Sequence, residues 1–339
     1  MKILVDGRVL MHSTVSGVER YTDLLLRHLS SIPNLDIDVI KPPSQSRLSQ
    51  HIWEHFCLPF KSLEYDLLFC PANIAPVWIP EGVRLVVTLH SVAYLATSNS
   101  YSKMFKEYYK RLIPHIIEIA DHIVTVSHSE RERILHFYPQ VADKISVIYS
   151  GIDESFFSEN VDRENYILSV ISYLSAKNMN ELIDAFNLIK DKINYNLKIV
   201  VSNPQKARNS SFRLSDRITL YYNLDDKLLI DMYWKASLMV QPSRYESFCF
   251  PVLEALAAST PVVCTPLDSV REIAGDAVFF SSGFDKESIA HSIFSVLTNP
   301  NIRENLKRNR DDVVKRFNWD KTADEYVNLF KKVILTNEG

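Results

Sequence analysis

Glu246 and Glu254 lie on either side of the point where an apolar strand gives way to a helix. The strand is predicted to end near Gln241, and Pro251 favours the first helical turn, where its missing N–H costs nothing. Backbone N–H groups around residues 247–250 would then point out of the helix N-terminus and attract phosphate. Carboxylate oxygens accept hydrogen bonds from ribose or sugar hydroxyls. The segment therefore carries groups for a ligand that has both phosphates and hydroxyls.

A simpler interpretation of the two glutamates stays open at this point. Glu254 would then only complement the helix dipole, and Glu246 would be solvated. Three further residues each have an ordinary alternative as well. His90 ends an apolar strand, Lys177 could be a surface lysine, and Gly17 could serve only a turn. Asn178 and Glu181 have capping-box spacing, which predicts that Lys177 precedes a helix N-terminus.

Short β-branched runs alternate with amphipathic stretches along the whole chain, and this alternation must position those residues. Such a pattern predicts parallel sheets with right-handed crossovers, and two successive sets predict two doubly wound α/β domains. Predicted strands cover residues 2–5, 37–40, 67–69, 84–89, 122–126 and 145–148, then 166–171, 197–201, 218–221, 238–241 and 262–264. Predicted helices cover residues 18–29, 101–120, 180–190, 226–235, 251–258 and 320–335.

The polar stretch of residues 153–165 is typical of an interdomain linker. We therefore expect a first domain over residues 1–153 and a second over residues 154–320. The last segment, residues 321–339, is expected to be a helix that packs back on the first domain.

Bulk properties exclude several classes of protein. The 339 residues carry a net charge of −3, so no basic field indicates nucleic-acid binding. Asp6 interrupts any signal-peptide core, and no apolar run reaches membrane-spanning length. Four scattered cysteines predict neither a disulfide framework nor a zinc site. These features predict a cytoplasmic protein.

One segment has a specific resemblance. Residues 242–263, PSRYESFCFPVLEALAASTPVV, resemble the signature of retaining glycosyltransferase family 4, in which two glutamates are separated by seven residues. The resemblance continues along nearly the whole chain in the family's order. It is carried by SGVERY at 16–21, VTLH at 87–90, VSHS at 126–129, VIYSGID at 147–153, AKN at 176–178 and VREIAGDA at 270–277.

The resemblance implies a GT-B fold, with two Rossmann-like domains facing across a cleft, and it implies roles for matching residues. Glu254 would bind the donor ribose, and Glu246 would contact the transferred sugar. The backbone amides of Cys249 and Phe250 would hold the sugar and phosphate. Lys177 would neutralise the departing diphosphate, a task that suits a compact ammonium. The resemblance also implies that His90 contacts the donor sugar and that Gly17 lies near the diphosphate and the acceptor.

The implied reaction is metal-independent hexosyl transfer with retention of configuration, without a cofactor. The implied partners are a nucleotide sugar, with GDP-mannose or a related GDP-sugar favoured, and a glycan or lipid-linked glycan acceptor. A UDP-sugar is the alternative donor. A glycosidase would need two opposed carboxylates, and no such pair can be placed. Asp36 and Asp38 match a DxD metal motif but flank a strand, so we interpret them as an edge or strand-end pair.

Glycine is scarce, at 7 of 339 residues, against an average of about 7%. Ser247 and Cys249 stand where the family usually has glycine. A degenerate, non-catalytic nucleotide- or glycan-binding protein is therefore a second hypothesis, and a phosphorylase-like enzyme of the same architecture is a third. Because Glu246, Glu254, Lys177 and His90 are all present, an altered but active transferase is preferred.

Residues 101–120 combine basic and aromatic side chains, which favours contact with an anionic membrane surface. The alternative is a solvated helix with one buried face. Under the first interpretation, the protein would lie peripherally on the inner face of a membrane.

Overall fold

The computed structural model divides the chain into two units. The first combines Met1–Gly151 with Asn318–Gly339, and the second is Ile152–Phe317. The structure describes residues 1–11, 17–44, 46–97, 100–158, 161–202, 212–222 and 224–335.

Each unit contains one six-stranded parallel sheet. The first sheet has the order β2-β1-β3-β4-β5-β6, and the second has the order β12-β11-β10-β7-β8-β9. In the first unit the strands are β1 (Lys2–Asp6), β2 (Asp36–Ile40), β3 (Leu67–Cys70), β4 (Arg84–Thr88), β5 (His122–Thr125) and β6 (Ile145–Val147). In the second they are β7 (Glu164–Ser172), β8 (Asn196–Ser202), β9 (Ile218–Tyr222), β10 (Ala236–Gln241), β11 (Val262–Cys264) and β12 (Phe279–Phe280).

The α-helices alternate with these strands, as expected for two doubly wound units. Those of the first part of the chain are α1 (Gly17–Ser31), α2 (Arg47–Ile52), α3 (Leu58–Lys61), α4 (Ala93–Ala96), α5 (Lys103–Ile119) and α6 (His128–Phe137). They are followed by α7 (Met179–Ile189), α8 (Asp226–Lys235), α9 (Phe250–Ala257), α10 (Asp268–Ala274), α11 (Lys286–Thr298), α12 (Pro300–Val314) and α13 (Trp319–Leu335). Within the described ranges, none of the helices has both the length and the apolar character to cross a bilayer.

The predicted fold class is confirmed, and all eleven predicted strands are present. The runs of the inner strands β1, β3, β4, β5, β7, β8, β10 and β11 are largely buried, which is characteristic of a parallel sheet covered by helices on each side. The edge strands β2, β6 and β9 are more exposed. β12 was not predicted, because two residues give no periodic pattern. The helices that were also not predicted are α2, α3, α4, α6, α10, α11 and α12.

Helix α13 belongs to the first unit, although it lies at the far end of the sequence. Its Phe330 ring lies 5.1 Å from the ring of Phe69 on β3. Gly151 is needed where the chain passes Trp319, since a Cβ there would come within 2.3 Å of the Trp319 nitrogen. The chain thus leaves and re-enters the first unit at one closely packed point.

Candidate active site

Strands β7 and β10 are neighbours in the second sheet, although β8 and β9 separate them in sequence. From β7 the chain builds one half of the sheet, and from β10 it builds the other half. Ligands of open parallel sheets bind beyond the carboxyl ends of strands at such a switch point. The loops that follow β7 and β10 contain Lys177 and Glu246, so the topology brings these two predicted residues together.

Lys177 and Glu246 form an ion pair of 2.6 Å between Nζ and Oε2. The other carboxylate oxygen, Oε1, accepts hydrogen bonds from Gln241 Nε2 at 2.8 Å and Ser243 Oγ at 2.7 Å. Glu246 is buried, with 7% of its surface exposed. The interpretation of Glu246 as a solvated residue is therefore wrong, since donors from a strand end and two loops fix its carboxylate.

Backbone and side-chain hydrogen bonds hold the two loops together. The Arg244 amide donates to the Ala176 carbonyl at 2.7 Å, and Arg244 Nε donates to Asn178 Oδ1 at 3.1 Å. Asn178 has a left-handed backbone with φ of 57°, which asparagine tolerates better than most residues. Lys177 is thus carried on a loop with a fixed conformation.

The predicted capping box at Asn178 and Glu181 is wrong. An N-cap side chain bonds the first helical turn from an extended backbone, whereas Asn178 is left-handed and makes no such bond. Its amide nitrogen instead donates to the Phe284 carbonyl at 2.9 Å. Glu181 Oε2 accepts a hydrogen bond from the Lys286 amide at 2.9 Å. Both side chains therefore connect α7 to the start of α11.

Glu254 lies in the second turn of α9, and its side chain is buried against α8. Its Oε2 accepts a hydrogen bond of 2.8 Å from Tyr233 Oη, and Tyr233 is fully buried. Phe250 is the first residue of α9, and Cys249 immediately precedes it. Glu254 is thus oriented by a partner 21 residues earlier in the chain, which no local motif would have revealed.

Cys249 has φ of 75° and ψ of 63°, a left-handed conformation that is ordinary for glycine. For another residue this conformation costs about 1–2 kcal/mol. Burial and the neighbouring Glu246 raise the pKa of its thiol well above the usual range. Cys249 therefore remains a neutral thiol, and its backbone adopts the turn for which the family normally uses glycine.

In the first unit, His90 follows β4 and is buried. A carbonyl can only accept a hydrogen bond, so His90 Nε2–H donates to the Pro71 carbonyl at 2.7 Å. The His90 amide donates to Asn73 Oδ1 at 2.7 Å. Burial lowers the pKa of His90 to about 4, although the Pro71 carbonyl opposes the shift. The imidazole is neutral at pH 7, and its Nδ1 is therefore a hydrogen-bond acceptor.

Gly17 begins α1, and the preceding residues 12–16 lie outside the described part of the chain. One turn later, Tyr21 packs edge-on against the His90 ring, with the ring centroids 4.6 Å apart. Tyr21 Oη shares a hydrogen bond of 2.5 Å with Tyr326 Oη on α13, which also bonds Thr88 Oγ1 at 2.8 Å. The α1 segment and the C-terminal helix thus both support His90. The contacts of Tyr326 had no signal in the sequence.

Comparisons with known proteins identify the family. Residues 15–156 match Glycosyltransferase Family 4, and residues 151–312 match the glycosyl transferases group 1. This chain belongs to glycosyltransferase family 4. Members of this family typically transfer a sugar with retention of configuration.

The individual relatives of this family 4 chain are distant. It is 27% identical over 245 residues to the O-antigen chain mannosyltransferase RfbU of Salmonella typhimurium, covering 71% of this chain. The match spans 65% of RfbU, slightly less than two thirds of that relative.

Two solved structures share its GT-B fold. Sucrose-phosphate synthase from Thermosynechococcus elongatus has a TM-score of 0.77 at 17% identity, covering 98% of this chain and 99% of that one. Anabaena HepE in complex with UDP-glucose has a TM-score of 0.73 at 13% identity, covering 98% and 100%. At these identities the likeness establishes the fold alone.

The low pKa of His90 predicts a pH dependence of stability. Between the unfolded pKa of 6.5 and the native value of about 4, only the unfolded chain binds a proton at this residue. The contribution is therefore fully present above pH 6.5, and it is lost as the pH falls towards 4, by up to about 3 kcal/mol in free energy of unfolding. In His90→Gln, whose amide can still donate to Pro71, this loss should disappear.

Denaturant unfolding at pH 7 and pH 5 measures the effect. His136→Gln, at an exposed position on α6, should keep the wild-type dependence. An equal loss of stability in His90→Gln and wild type would contradict the assignment of a buried neutral imidazole.

Proposed function

We propose that the chain is a retaining hexosyltransferase that moves a hexose from a nucleotide diphosphate sugar to a glycan or lipid-linked glycan acceptor. The braced Lys177–Glu246 pair at the switch point of the second unit is the observation that supports it most directly. It places a compact cation and an oriented carboxylate at the strand ends where this architecture binds ligands. A carboxylate that served only solubility would not have three donors around it.

The proposed donor site assigns one task to each group. Glu254 accepts hydrogen bonds from the ribose hydroxyls, because a carboxylate oxygen that is bonded to Tyr233 retains further acceptor capacity. The amides of Cys249 and Phe250, at the start of α9, hold the phosphate. Glu246 contacts the hydroxyls of the transferred hexose, and Lys177 turns from Glu246 towards the diphosphate as negative charge develops there.

The proposed roles in the first unit are those of His90 and Gly17. Nδ1 of the neutral His90 accepts a hydrogen bond from a hydroxyl of the donor hexose and so orients the anomeric carbon. Gly17 lets the start of α1 approach the diphosphate and the acceptor closely.

In the transfer step the bond from the anomeric carbon to the diphosphate breaks, and the acceptor oxygen bonds to the same face. The acceptor proton passes to a phosphate oxygen of the leaving group. Catalysis consists of positioning and charge stabilisation. We propose that Lys177 and the α9 amides supply the positive charge, so the reaction needs no divalent metal.

Substitution of the charged residues tests this assignment. Lys177→Ala should lower kcat by about 100- to 1,000-fold, the cost of losing one electrostatic contact to the leaving group. Glu254→Ala should mainly weaken donor binding. Lys192→Ala removes an exposed lysine of the same unit and should leave kcat unchanged in assays of sugar release and transfer from candidate donors.

The same assays separate the proposal from the second hypothesis. Wild-type protein that is stabilised by a nucleoside diphosphate but turns over no donor would be a non-catalytic binding protein. Wild-type rates in both active-site variants would contradict the site itself.

For the donor we propose GDP-mannose or a related GDP-sugar, with UDP-sugars as the alternative. The likeness to the mannosyltransferase RfbU supports the first, and HepE, whose structure contains UDP-glucose, illustrates the second. GDP should raise the Tm more than UDP at equal concentration, because a ligand that binds only the folded state stabilises it more when it binds more tightly. A larger shift with UDP would reverse the choice of donor.

We further propose that residues 101–120 contact an anionic membrane on its cytoplasmic face. The first half of α5 exposes Met104, at 83%, and Tyr108, at 39%. A row of exposed apolar side chains lies on residues 48–63. His55 of this segment bonds Tyr108 of α5. The row consists of Leu48, Ile52, Phe56, Phe60 and Leu63. At a spacing of three to four residues, the row runs from α2 through the helical turn Trp53–Cys57 and α3 to the turn Ser62–Glu64, and such a run of exposed apolar side chains suits an interfacial contact.

Co-sedimentation with vesicles tests the membrane contact. Each basic residue near an anionic surface contributes about 1 kcal/mol, so Lys103→Ala with Lys110→Ala should weaken binding to phosphatidylserine vesicles by about tenfold or more. Lys192→Ala is the control. Equal sedimentation of all variants, or no difference between anionic and neutral vesicles, would contradict the proposal.

A further inference from the structure

A second group of potential ligands lies in the first unit, apart from every residue assigned a role in transfer. His51, Glu54 and His55 each offer one ligand atom, and these atoms lie within 4.8 Å of one another. His51 is on α2, and the other two belong to a π-helical turn, Trp53–Cys57. Single π-helical turns occur often at functional positions because they redirect side chains that a regular helix would carry elsewhere.

The two imidazoles lie parallel on one side of this turn. Their ring centroids are 6.3 Å apart, with 19° between the planes. His55 Nε2 is 3.1 Å from Tyr108 Oη on α5. Nδ1 of both histidines is buried and has no hydrogen-bond partner among the described residues. Each ring therefore presents an unused nitrogen in the interior of the protein.

Glu54 is fully buried, and neither of its carboxylate oxygens has a hydrogen-bond partner of good geometry among the described residues. Its Oε1 lies 3.0 Å from Arg8 Nε, and its Oε2 lies 3.5 Å from His51 Nδ1. A buried carboxylate without hydrogen bonds is costly unless a cation compensates it. The Arg8 guanidinium compensates the negative charge at Oε1, whereas Oε2 is directed towards the imidazole of His51.

The surroundings also contain a second acid. The Arg8 amide donates to Asp6 Oδ1 at 2.9 Å, and Asp6 is buried as well. Asp6 Oδ2 lies 4.0 Å from Arg8 Nε, the nitrogen that also contacts Glu54. Two carboxyl groups thus share one guanidinium, which leaves room for a further cation beside Glu54.

We propose that His51, Glu54 and His55 form a three-ligand site for a divalent transition metal of the Zn²⁺ type. The ligand atoms would be His51 Nδ1, Glu54 Oε2 and His55 Nδ1, and water would complete a tetrahedral set, as in other three-ligand sites. Tyr108 would orient His55 through Nε2, the kind of outer partner that metal-bound histidines almost always have.

The chemistry of the ligands is consistent with this choice of metal. Imidazole nitrogen with one carboxylate oxygen suits Zn²⁺ better than Mg²⁺ or Ca²⁺, which prefer oxygen ligands. Because Glu54 also contacts Arg8, which follows β1, the metal would fasten the segment that carries the exposed apolar row to the sheet.

Metal binding by the full chain tests the proposal. Metal-free protein is titrated with Zn²⁺ against a chromophoric chelator. Wild type should bind one Zn²⁺ per chain. Tyr108→Phe should bind about 10- to 100-fold more weakly, the usual effect of losing an outer partner, and His51→Ala and His55→Ala more weakly still. His136→Ala, which removes an exposed histidine of the same unit, should match wild type. Failure of wild type to compete with the chelator, or equal affinity in the histidine variants, would overturn the site.

Two measurements guard against variants that fail to fold. Far-ultraviolet circular dichroism of each metal-free variant should match wild type, since His51 and His55 are only partly buried. Co²⁺ bound to wild-type protein should give the intense visible absorption of a four-coordinate site. Weak octahedral absorption from wild type would overturn the proposal whatever the variants do. Metal binding is measured without donor turnover, so the metal-site proposal can fail while the transferase proposal stands.

Discussion

The buried carboxylate of Glu246 imposes the constraint on which the second unit depends. A buried ionised group requires partners, and removing one member of such a pair costs about 3–5 kcal/mol. Here the partners come from a strand end, Gln241, from the same loop, Ser243, and from the loop after another strand, Lys177. These groups meet only if β7 and β10 are adjacent and parallel. The polar site and the order of the sheet therefore support each other.

The first unit also buries a polar side chain, His90, but this side chain is uncharged. His90 is buried at the end of β4, and burial disfavours its protonated form. The Pro71 carbonyl then fixes which nitrogen carries the single proton. Tyr21, held by Tyr326 and Thr88, packs against the ring. The chain thus obtains a hydrogen-bond acceptor of fixed orientation from apolar packing and one backbone contact.

Strands and contiguous motifs could be predicted from the sequence, whereas contacts between distant residues could not. The strands are short runs rich in β-branched residues, so eleven of them were predicted, whereas the two-residue β12 has no such pattern. Lys177, Glu246 and Glu254 were selected as candidates because they belong to contiguous motifs. Their supports were not, since Tyr233 is 21 positions from Glu254, and Tyr326 is 305 positions from Tyr21. Contacts of that kind follow from packing, which no local spacing encodes.

The incorrect capping-box prediction and the left-handed Cys249 both show that local spacing does not determine the backbone conformation. The spacing of Asn178 and Glu181 is correct for a cap, but the left-handed backbone of Asn178 directs its side chain to Arg244 and Phe284 instead. At Cys249 the backbone keeps the turn that glycine would adopt without strain. The cost of about 1–2 kcal/mol is small beside the burial of a whole α/β unit. Loss of glycine at this position therefore changes the side chain that borders the α9 amides, while the amides themselves stay at the helix start. For this reason the loss of glycine at this position argues for an altered turn before α9 rather than for a lost one.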